Sequence, residues 1–232
     1  MIKPWRELPP ELRIPEVAPY YKRIYRKRGS LLIKRGFDIT ASFFLLIISS
    51  PVMLALAVWI KLDSRGPVFF RQERVTQYGR HFRICKFRTM VMDAEKKGKK
   101  LTANEDPRIT RVGRRIRSFR LDELPQLFNI LAGDMTFVGT RPEVPEYVAG
   151  YLPEWKATLL LPAGVTSKAS VAFRKEDDRM KSLTDQGLSV DEAYMKHILP
   201  EKMQYNLKEI KDFTLLQDFV ILWKTVFAVL HS

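Results

Sequence analysis

From Ile39 to Ile60 the chain runs for 22 residues without a charge, and Pro51 stands near the middle, behind Ser49 and Ser50. A straight helix of that length would reach about 33 Å, enough to cross a hydrocarbon core. Pro51, however, has no amide hydrogen to give and favours a sharp kink, with the serine hydroxyls in reach of the freed carbonyls. The arms on either side, Ile39–Ser50 and Val52–Ile60, come to about 18 and 13 Å, roughly half of a bilayer core each. Both flanks are basic: Lys34 and Arg35 precede the stretch, and Lys61, Arg65, Arg71 and Arg74 follow it. A straight span would put one cluster outside, against the tendency of basic residues to stay on the cytoplasmic side. A re-entrant membrane helix hairpin, broken at Ser50 and Pro51, keeps both on one face; a Pro-kinked ordinary span is the alternative. A cleavable signal peptide is not expected, because the stretch begins too late and lacks a small-residue cleavage site. Asp38, four residues after Lys34, is expected to pair with it locally.

The other features of the chain are those of a folded, basic protein. With 232 residues, 46% apolar and 28% charged, it is neither a disordered tail nor a multi-span transporter. Forty Lys and Arg against 26 Asp and Glu give a net +14, which points to anionic partners: an acidic membrane surface, phosphorylated small molecules or nucleic acid. The single Cys85 excludes an internal disulfide and is compatible with a reducing compartment. Three segments are expected. Residues 1–30 form a basic arm whose five prolines within the first 19 residues imply an extended or irregular course. Residues 31–62 form the membrane element, and residues 63–232 the domain that follows it. In that domain Pro67–Arg71 and His81–Arg88 read as short strands joined by a turn near Tyr78-Gly79. Asp93–Lys100 reads as a charged exposed segment, and Ile116–Leu131 as a helix around Pro125 stopped by Gly133. Residues 213–230 are amphipathic, with apolar residues all but encircling Asp218 and Lys224, so this helix either lies in a membrane interface or packs on the core.

Elimination narrows the chemistry. Three histidines, none with a readable serine or cysteine partner, make hydrolase triads improbable, and no P-loop, dinucleotide or zinc pattern is present. Carboxylates and many cations remain, a combination suited to metal-assisted chemistry on a phosphate ester. Asp122 and Glu123 precede Pro125 at an apparent helix start, behind Arg114, Arg115, Arg117 and Arg120. A helix start also supplies free N–H groups for an anion, and adjacent carboxylates there point in different directions, one toward phosphorus and one toward a divalent cation. Taken alone, the segment reads first as an ordinary capped helix, and it is the arginines before it that turn the reading toward chemistry. Lys86 and Arg88, two apart on a strand and about 6.6 Å from each other, share a face and could grip a diphosphate, or simply guard a sheet edge. Arg141 is a third cation, in a loop stiffened by Gly139 and Pro142.

Together the segments KRGFDI, the broken apolar helix with SSP, GPVFFRQERVTQYGRHFRICKFRTM, DPRITRVGRRIRSFRLDELPQLFNILAGDM and VGTRPE resemble, in order, the bacterial sugar transferase family of monotopic polyprenyl-phosphate phosphoglycosyl transferases. The resemblance covers about residues 31–230. It implies a mixed α/β fold, with a re-entrant hairpin and a small cytoplasmic catalytic domain of short strands and amphipathic helices at the bacterial inner membrane. It implies transfer of a sugar 1-phosphate from a nucleotide sugar, usually a UDP-sugar, to undecaprenyl phosphate, the first membrane step of exopolysaccharide, capsule or O-antigen assembly. By that resemblance Asp122 is the nucleophile that forms a phosphosugar-aspartyl intermediate and expels UMP. Glu123, with Asp122, would hold Mg²⁺, and Lys86, Arg88, Arg120, Arg141, Pro142 and Arg174 would form the substrate site.

The expected partners are a nucleotide sugar, undecaprenyl phosphate and membrane lipid, with no nucleic acid; self-association into a homodimer is compatible with a hairpin anchor. The chain departs from the family pattern at Thr140, where a proline is common, at Ser167, Ser170 and Phe173, which replace a glycine, a glutamine and a glycine, and at Asn206, where many members have an aspartate. Loss of two glycines restricts the backbone and bears on donor selection. The competing readings are a non-catalytic basic binding module anchored to the membrane, and a scaffold for an active partner.

Overall fold

The computed structural model describes residues 2–92, 107–174 and 176–230, so the expected charged segment at 93–100 lies outside the described residues. In chain order the helices and strands are α1 (Ala18–Arg26), α2 (Arg28–Asp63), β1 (Phe69–Val75), β2 (His81–Phe87), α3 (Arg111–Ser118), α4 (Gln126–Ala132), β3 (Met135–Val138), α5 (Pro145–Ala149), β4 (Ala163–Thr166), α6 (Lys168–Ala172), α7 (Glu176–Asp185), α8 (Val190–Ala193), α9 (Leu199–Lys211) and α10 (Leu215–Leu230). The fold mixes helix and strand as expected, but helices dominate, and the described strands form only two small sheets.

The N-terminal arm is not extended. Its prolines start 3₁₀ turns at Trp5–Glu7 and Pro10–Leu12, and Pro19 sits in the first turn of α1, where its missing N–H is harmless. Apolar burial fixes the arm: Ile2, Leu8, Leu12, Val17, Tyr20, Tyr21 and Ile24 share a core with Ala157, Leu160, Leu207 and Ile210.

The break expected at Ser50 and Pro51 does not interrupt the helix: α2 continues through Pro51 as one 36-residue element, because the serine hydroxyls take up freed carbonyls. Pro51 cannot donate to the carbonyl of Ile47, and the Ser50 hydroxyl donates to it instead at 2.8 Å, while Ser49 Oγ donates to Leu45 O at 2.6 Å. Both halves of the helix pack on the same body. On the N-terminal half, Arg35 donates to Ile130 O and Leu131 O at 2.6 and 3.0 Å, capping the carbonyl end of α4. On the C-terminal half, Met53, Leu56 and Ile60 pack with Phe87, Val112 and Ile116. The opposite side is exposed and apolar, with Phe43, Phe44, Ile47, Ile48, Leu54 and Val58 outward.

The expected Lys34–Asp38 pair does not form. Asp38 is buried and turns to β3, accepting from Thr136 Oγ1 at 2.6 Å and from the Phe137 amide at 3.3 Å, while Lys34 pairs with Asp218 of α10 at 2.6 Å. The reason is burial: orphan donors of β3 inside the protein gain more from a carboxylate than an exposed i,i+4 pair would. Of the two expected roles of α10, packing on the core is observed. Asp218 and Ile221 face the core, and Leu216, Phe219, Trp223 and Phe227 face outward.

β1 and β2 form the expected antiparallel hairpin, closed by Tyr78 and Gly79, both at positive φ. The helix expected over 116–131 is split. Pro125 has no N–H for Leu121 O, so Leu124 N bonds that carbonyl at 3.3 Å and a 3₁₀ turn, Leu121–Glu123, separates α3 from α4. Arg120 enters the turn at φ +53°, and Gly133 ends α4 at φ +87°, as expected of a stop. β3 and β4 pair in parallel, and a Cβ on Gly164 would lie 2.2 Å from Gly139 O, so only glycine admits this approach.

Asp38→Ala strands two buried donors on β3 and is expected to lower stability by about 2–4 kcal/mol, read as a fall in the apparent Tm of the detergent-solubilised chain. Adding Thr136→Val removes one of those donors and should recover part of the loss.

Candidate active site

Three elements bring charge to one place. β2 presents Lys86 one residue before its end, the 3₁₀ turn presents Asp122 and Glu123, and the loop after β3 presents Arg141. The loop is held by its own backbone, since Gly139 N bonds Thr166 O at 2.9 Å and Gly164 N bonds Thr140 O at 2.8 Å. α4 is locked to β2 by buried Asn129, which accepts from Cys85 N at 2.8 Å and donates to Arg83 O at 3.0 Å.

Glu123 sits between two cations. Arg141 reaches both its oxygens, Nη2 to Oε1 at 2.5 Å and Nη1 to Oε2 at 3.5 Å, and Lys86 Nζ lies 3.3 Å from Oε1. Burial by itself would raise the Glu123 carboxyl, but Arg141 and then Lys86 overcome it and hold the group far below the usual range, so it stays ionised. Lys86 is lowered by burial against the pull of Glu123, and Arg141 is raised by Glu123. Asp122 is different. It accepts no hydrogen bond from a described residue, and burial raises it, opposed by Lys86 and reinforced by the charge of Glu123. Two adjacent carboxylates thus have distinct characters, one neutralised by a fixed ion pair and one uncommitted, the separation that lets a pair divide roles.

The other expected site residues divide. Arg120 is exposed in the turn, and its charge helps lower Glu123. Pro142 is buried, and its carbonyl accepts from Arg74 Nη1 at 3.1 Å. Arg174 is exposed just beyond α6, and no described hydrogen bond of Glu123 involves it. Arg88 does not join Lys86 in a clamp. It follows the end of β2, is only 5% exposed, and donates from Nη2 to Ser64 O at 2.7 Å and Ser64 Oγ at 2.9 Å, at the carboxyl end of α2. The alternation that put Lys86 and Arg88 on one face stops at Phe87, where the carbonyls ending α2 take the guanidinium.

Sequence reading missed the second layer. Glu143, buried behind Arg141, accepts from Tyr194 Oη at 2.5 Å; Lys202 donates to Tyr194 Oη at 3.2 Å and reaches Glu176 at 3.1 Å. Arg74, lowered by burial against the pull of Glu143, lies beside this chain. Glu143 stands in the VGTRPE segment, which was a signal; nothing in the sequence marks Tyr194, 51 residues away.

No cluster of three or more His, Cys, Asp or Glu converges among the described residues. Mg²⁺ is commonly bound by one or two carboxylates with substrate phosphates completing the shell; Asp122 fits that mode of binding, whereas both oxygens of Glu123 are already met by Arg141 and one of them also by Lys86.

A model of the family described as "Bacterial sugar transferase" matches residues 29–232. Over 212 residues, 87% of this chain, the sequence is 38% identical to the UDP-N-acetylgalactosamine-undecaprenyl-phosphate N-acetylgalactosaminephosphotransferase of Aeromonas hydrophila. It is 37% identical over 88% of its length to the undecaprenyl-phosphate galactose phosphotransferase of Salmonella typhimurium. A putative undecaprenyl-phosphate N-acetylgalactosaminyl 1-phosphate transferase of Bacillus subtilis is 44% identical over 53% of this chain and 69% of its own. The matches cover 46% and 42% of the Aeromonas and Salmonella proteins, so this chain corresponds to less than half of each. The extent of the family match and the similarity to these relatives place the chain in the bacterial sugar transferase family.

Proposed function

We propose that this chain is a phosphoglycosyl transferase that moves a sugar 1-phosphate from a UDP-sugar to undecaprenyl phosphate, through a covalent intermediate on Asp122. The observation that carries the reading is the contrast within the carboxylate pair: Glu123 is consumed by Arg141 and Lys86, and Asp122 is left without a hydrogen-bond donor among the described residues. The names of the relatives support the acceptor, and that of the Aeromonas relative a UDP-linked donor. Their sugars differ, including galactose, N-acetylgalactosamine and glucose, so the reading stops at the class of donor.

In the first step a carboxylate oxygen of Asp122 attacks the phosphorus that bears the sugar. A P–O bond forms to Asp122, the P–O bond to the uridylate breaks, and UMP leaves with the electron pair. In the second step a phosphate oxygen of undecaprenyl phosphate attacks the same phosphorus and the aspartyl bond breaks, regenerating the carboxylate and giving the diphosphate-linked lipid sugar. A carboxylate nucleophile divides one difficult transfer into two easier ones. Lys86 and Arg141, fixed in advance on Glu123, face the phosphate oxygens as charge redistributes. Asp122 would hold Mg²⁺ with the substrate phosphates, Glu123 joining only by giving up a contact with Lys86 or Arg141, and the ion would supply further charge neutralisation there.

The membrane arrangement belongs to the same reading. α2 is long and apolar enough to cross a bilayer, yet both its halves pack on one body. This supports a re-entrant hairpin over residues 31–62, with residues 63–232 as the catalytic domain on the cytoplasmic face, level with the lipid phosphate.

Incubated with Mg²⁺ and UDP-sugars without lipid acceptor, the intact protein should gain one phosphosugar mass, and Asp122→Asn should gain none and lose turnover by at least about a thousandfold; absence of both adduct and UMP release with every donor would favour a non-catalytic binding role. Lys86→Met should cut kcat by about a hundredfold. It should also move the acid limb of the pH profile of adduct formation upward, because the Lys86 ammonium is what opposes the rise of the Asp122 carboxyl. Cysteines introduced at Ser30 and Arg65 should be labelled from the same side of oriented vesicles; labelling from opposite sides would establish a span.

A further inference from the structure

α3 has two faces of opposite chemistry. Val112 and Ile116 are buried against α2, Gly113 is buried beside Thr89, and Arg111, Arg114 and Arg115, spaced at i, i+3 and i+4, are exposed. Its first turn is tied to the end of α2 by Asp63, whose carboxylate accepts the Val112 amide at 3.2 Å. This cationic face is therefore held where the uncharged stretch of α2 ends. Apolar groups lie with it: Arg115 stacks over the ring of Trp59 at 5.9 Å, Leu62 is 81% exposed and Phe119 is 65% exposed. Lys61 and Arg65 are exposed at the same helix end, and the one acidic residue among them, Asp63, is engaged by the Val112 amide.

None of this is required by the carboxylate centre, whose described ion pairs are made by Lys86 and Arg141. We propose that the exposed face of α3, with Trp59, Leu62 and Phe119, is a collar that seats on anionic phospholipid headgroups where α2 leaves the bilayer. The partner is read from two complementarities. Clustered arginines call for an anionic surface, and a tryptophan with exposed apolar side chains between them matches the boundary of headgroup and acyl chain, where aromatic residues collect and basic side chains reach upward to phosphate. A nucleic acid would use the cations and leave the exposed Leu62 and Phe119 against water.

The inference rests on the membrane seating of α2 in the proposed function, and its test separates the two. The full chain is reconstituted into vesicles of mixed phosphatidylcholine and phosphatidylglycerol, and association with spin-labelled forms of each lipid is compared. The wild type should prefer phosphatidylglycerol by about fivefold or more at low salt, with the preference falling as salt rises. R111Q/R114Q/R115Q should bring the ratio near one, and R111K/R114K/R115K should keep it, which a merely structural role of the arginines would not produce. A wild-type ratio near one, or a preference unchanged in the glutamine variant, overturns the proposal. Loss of binding to labelled DNA in the glutamine variant with an unchanged lipid ratio would overturn it in favour of a nucleic-acid surface. Failure of the wild type to float with pure phosphatidylcholine vesicles in high salt would overturn the membrane seating together with the collar, whereas flotation without headgroup preference would sink the collar alone.

Discussion

The ion triplet of Lys86, Glu123 and Arg141 is the joint on which the arrangement of this protein turns. Its members come from a strand of the hairpin, a 3₁₀ turn and a loop after a parallel strand, and no two are close in sequence. Each charge would be costly to bury alone, and together they are tolerated because every one has an opposite neighbour. The triplet thereby decides where the turn carrying Asp122 lies. It also leaves Asp122 as the carboxylate without a donor, raised by burial and by its charged neighbour. Behind it Glu143, Tyr194, Lys202 and Glu176 continue the alternation of charge and hydrogen bond into the helical body, so that Arg141 faces an anion on either side.

The second constraint is the long helix and the way its polar groups are met. Pro51 frees a carbonyl that Ser50 takes up within the same turn, so the helix continues without that carbonyl needing another partner. Arg35 caps the helix that follows the Leu121–Glu123 turn, Asp38 anchors β3, and Arg88 closes the carboxyl end of the long helix beside β2. These are the same three elements that carry the ion triplet or adjoin it. The base of the long helix and the carboxylate pair are thus linked through a few packed contacts.

Local order was legible where local chemistry controls it. The hairpin turn at Tyr78-Gly79, the stop at Gly133 and the serine relief of Pro51 follow from backbone rules that operate over four or five residues. The carboxylate pair and Arg141 could be singled out as chemistry, and the family resemblance gave them roles. Legibility failed where a long side chain had a choice of partners. Lys34 had Asp38 four residues away and took Asp218 instead; Arg88 had the strand's alternation and took the end of α2 instead. The proline-rich arm was read as irregular because prolines forbid regular interiors, but its apolar residues, spread among those prolines, found a surface built by residues 157–210.

What the sequence by itself determined is local order and the inventory of reactive groups: an uncharged stretch around Pro51 with basic flanks, the first pair of strands and its turn, the stop at Gly133, and adjacent carboxylates among cations. Backbone propensity, hydrophobic length and residue chemistry are local properties, and a sequence states them directly. Only the tertiary structure decided which cation neutralises which carboxylate, that Asp122 and not Glu123 is left uncommitted, and that Tyr194 and Lys202 stand behind Arg141. The physical reason is that the worth of a charge depends on burial and on the nearest opposite charge, and both are fixed by contacts between residues far apart in the chain.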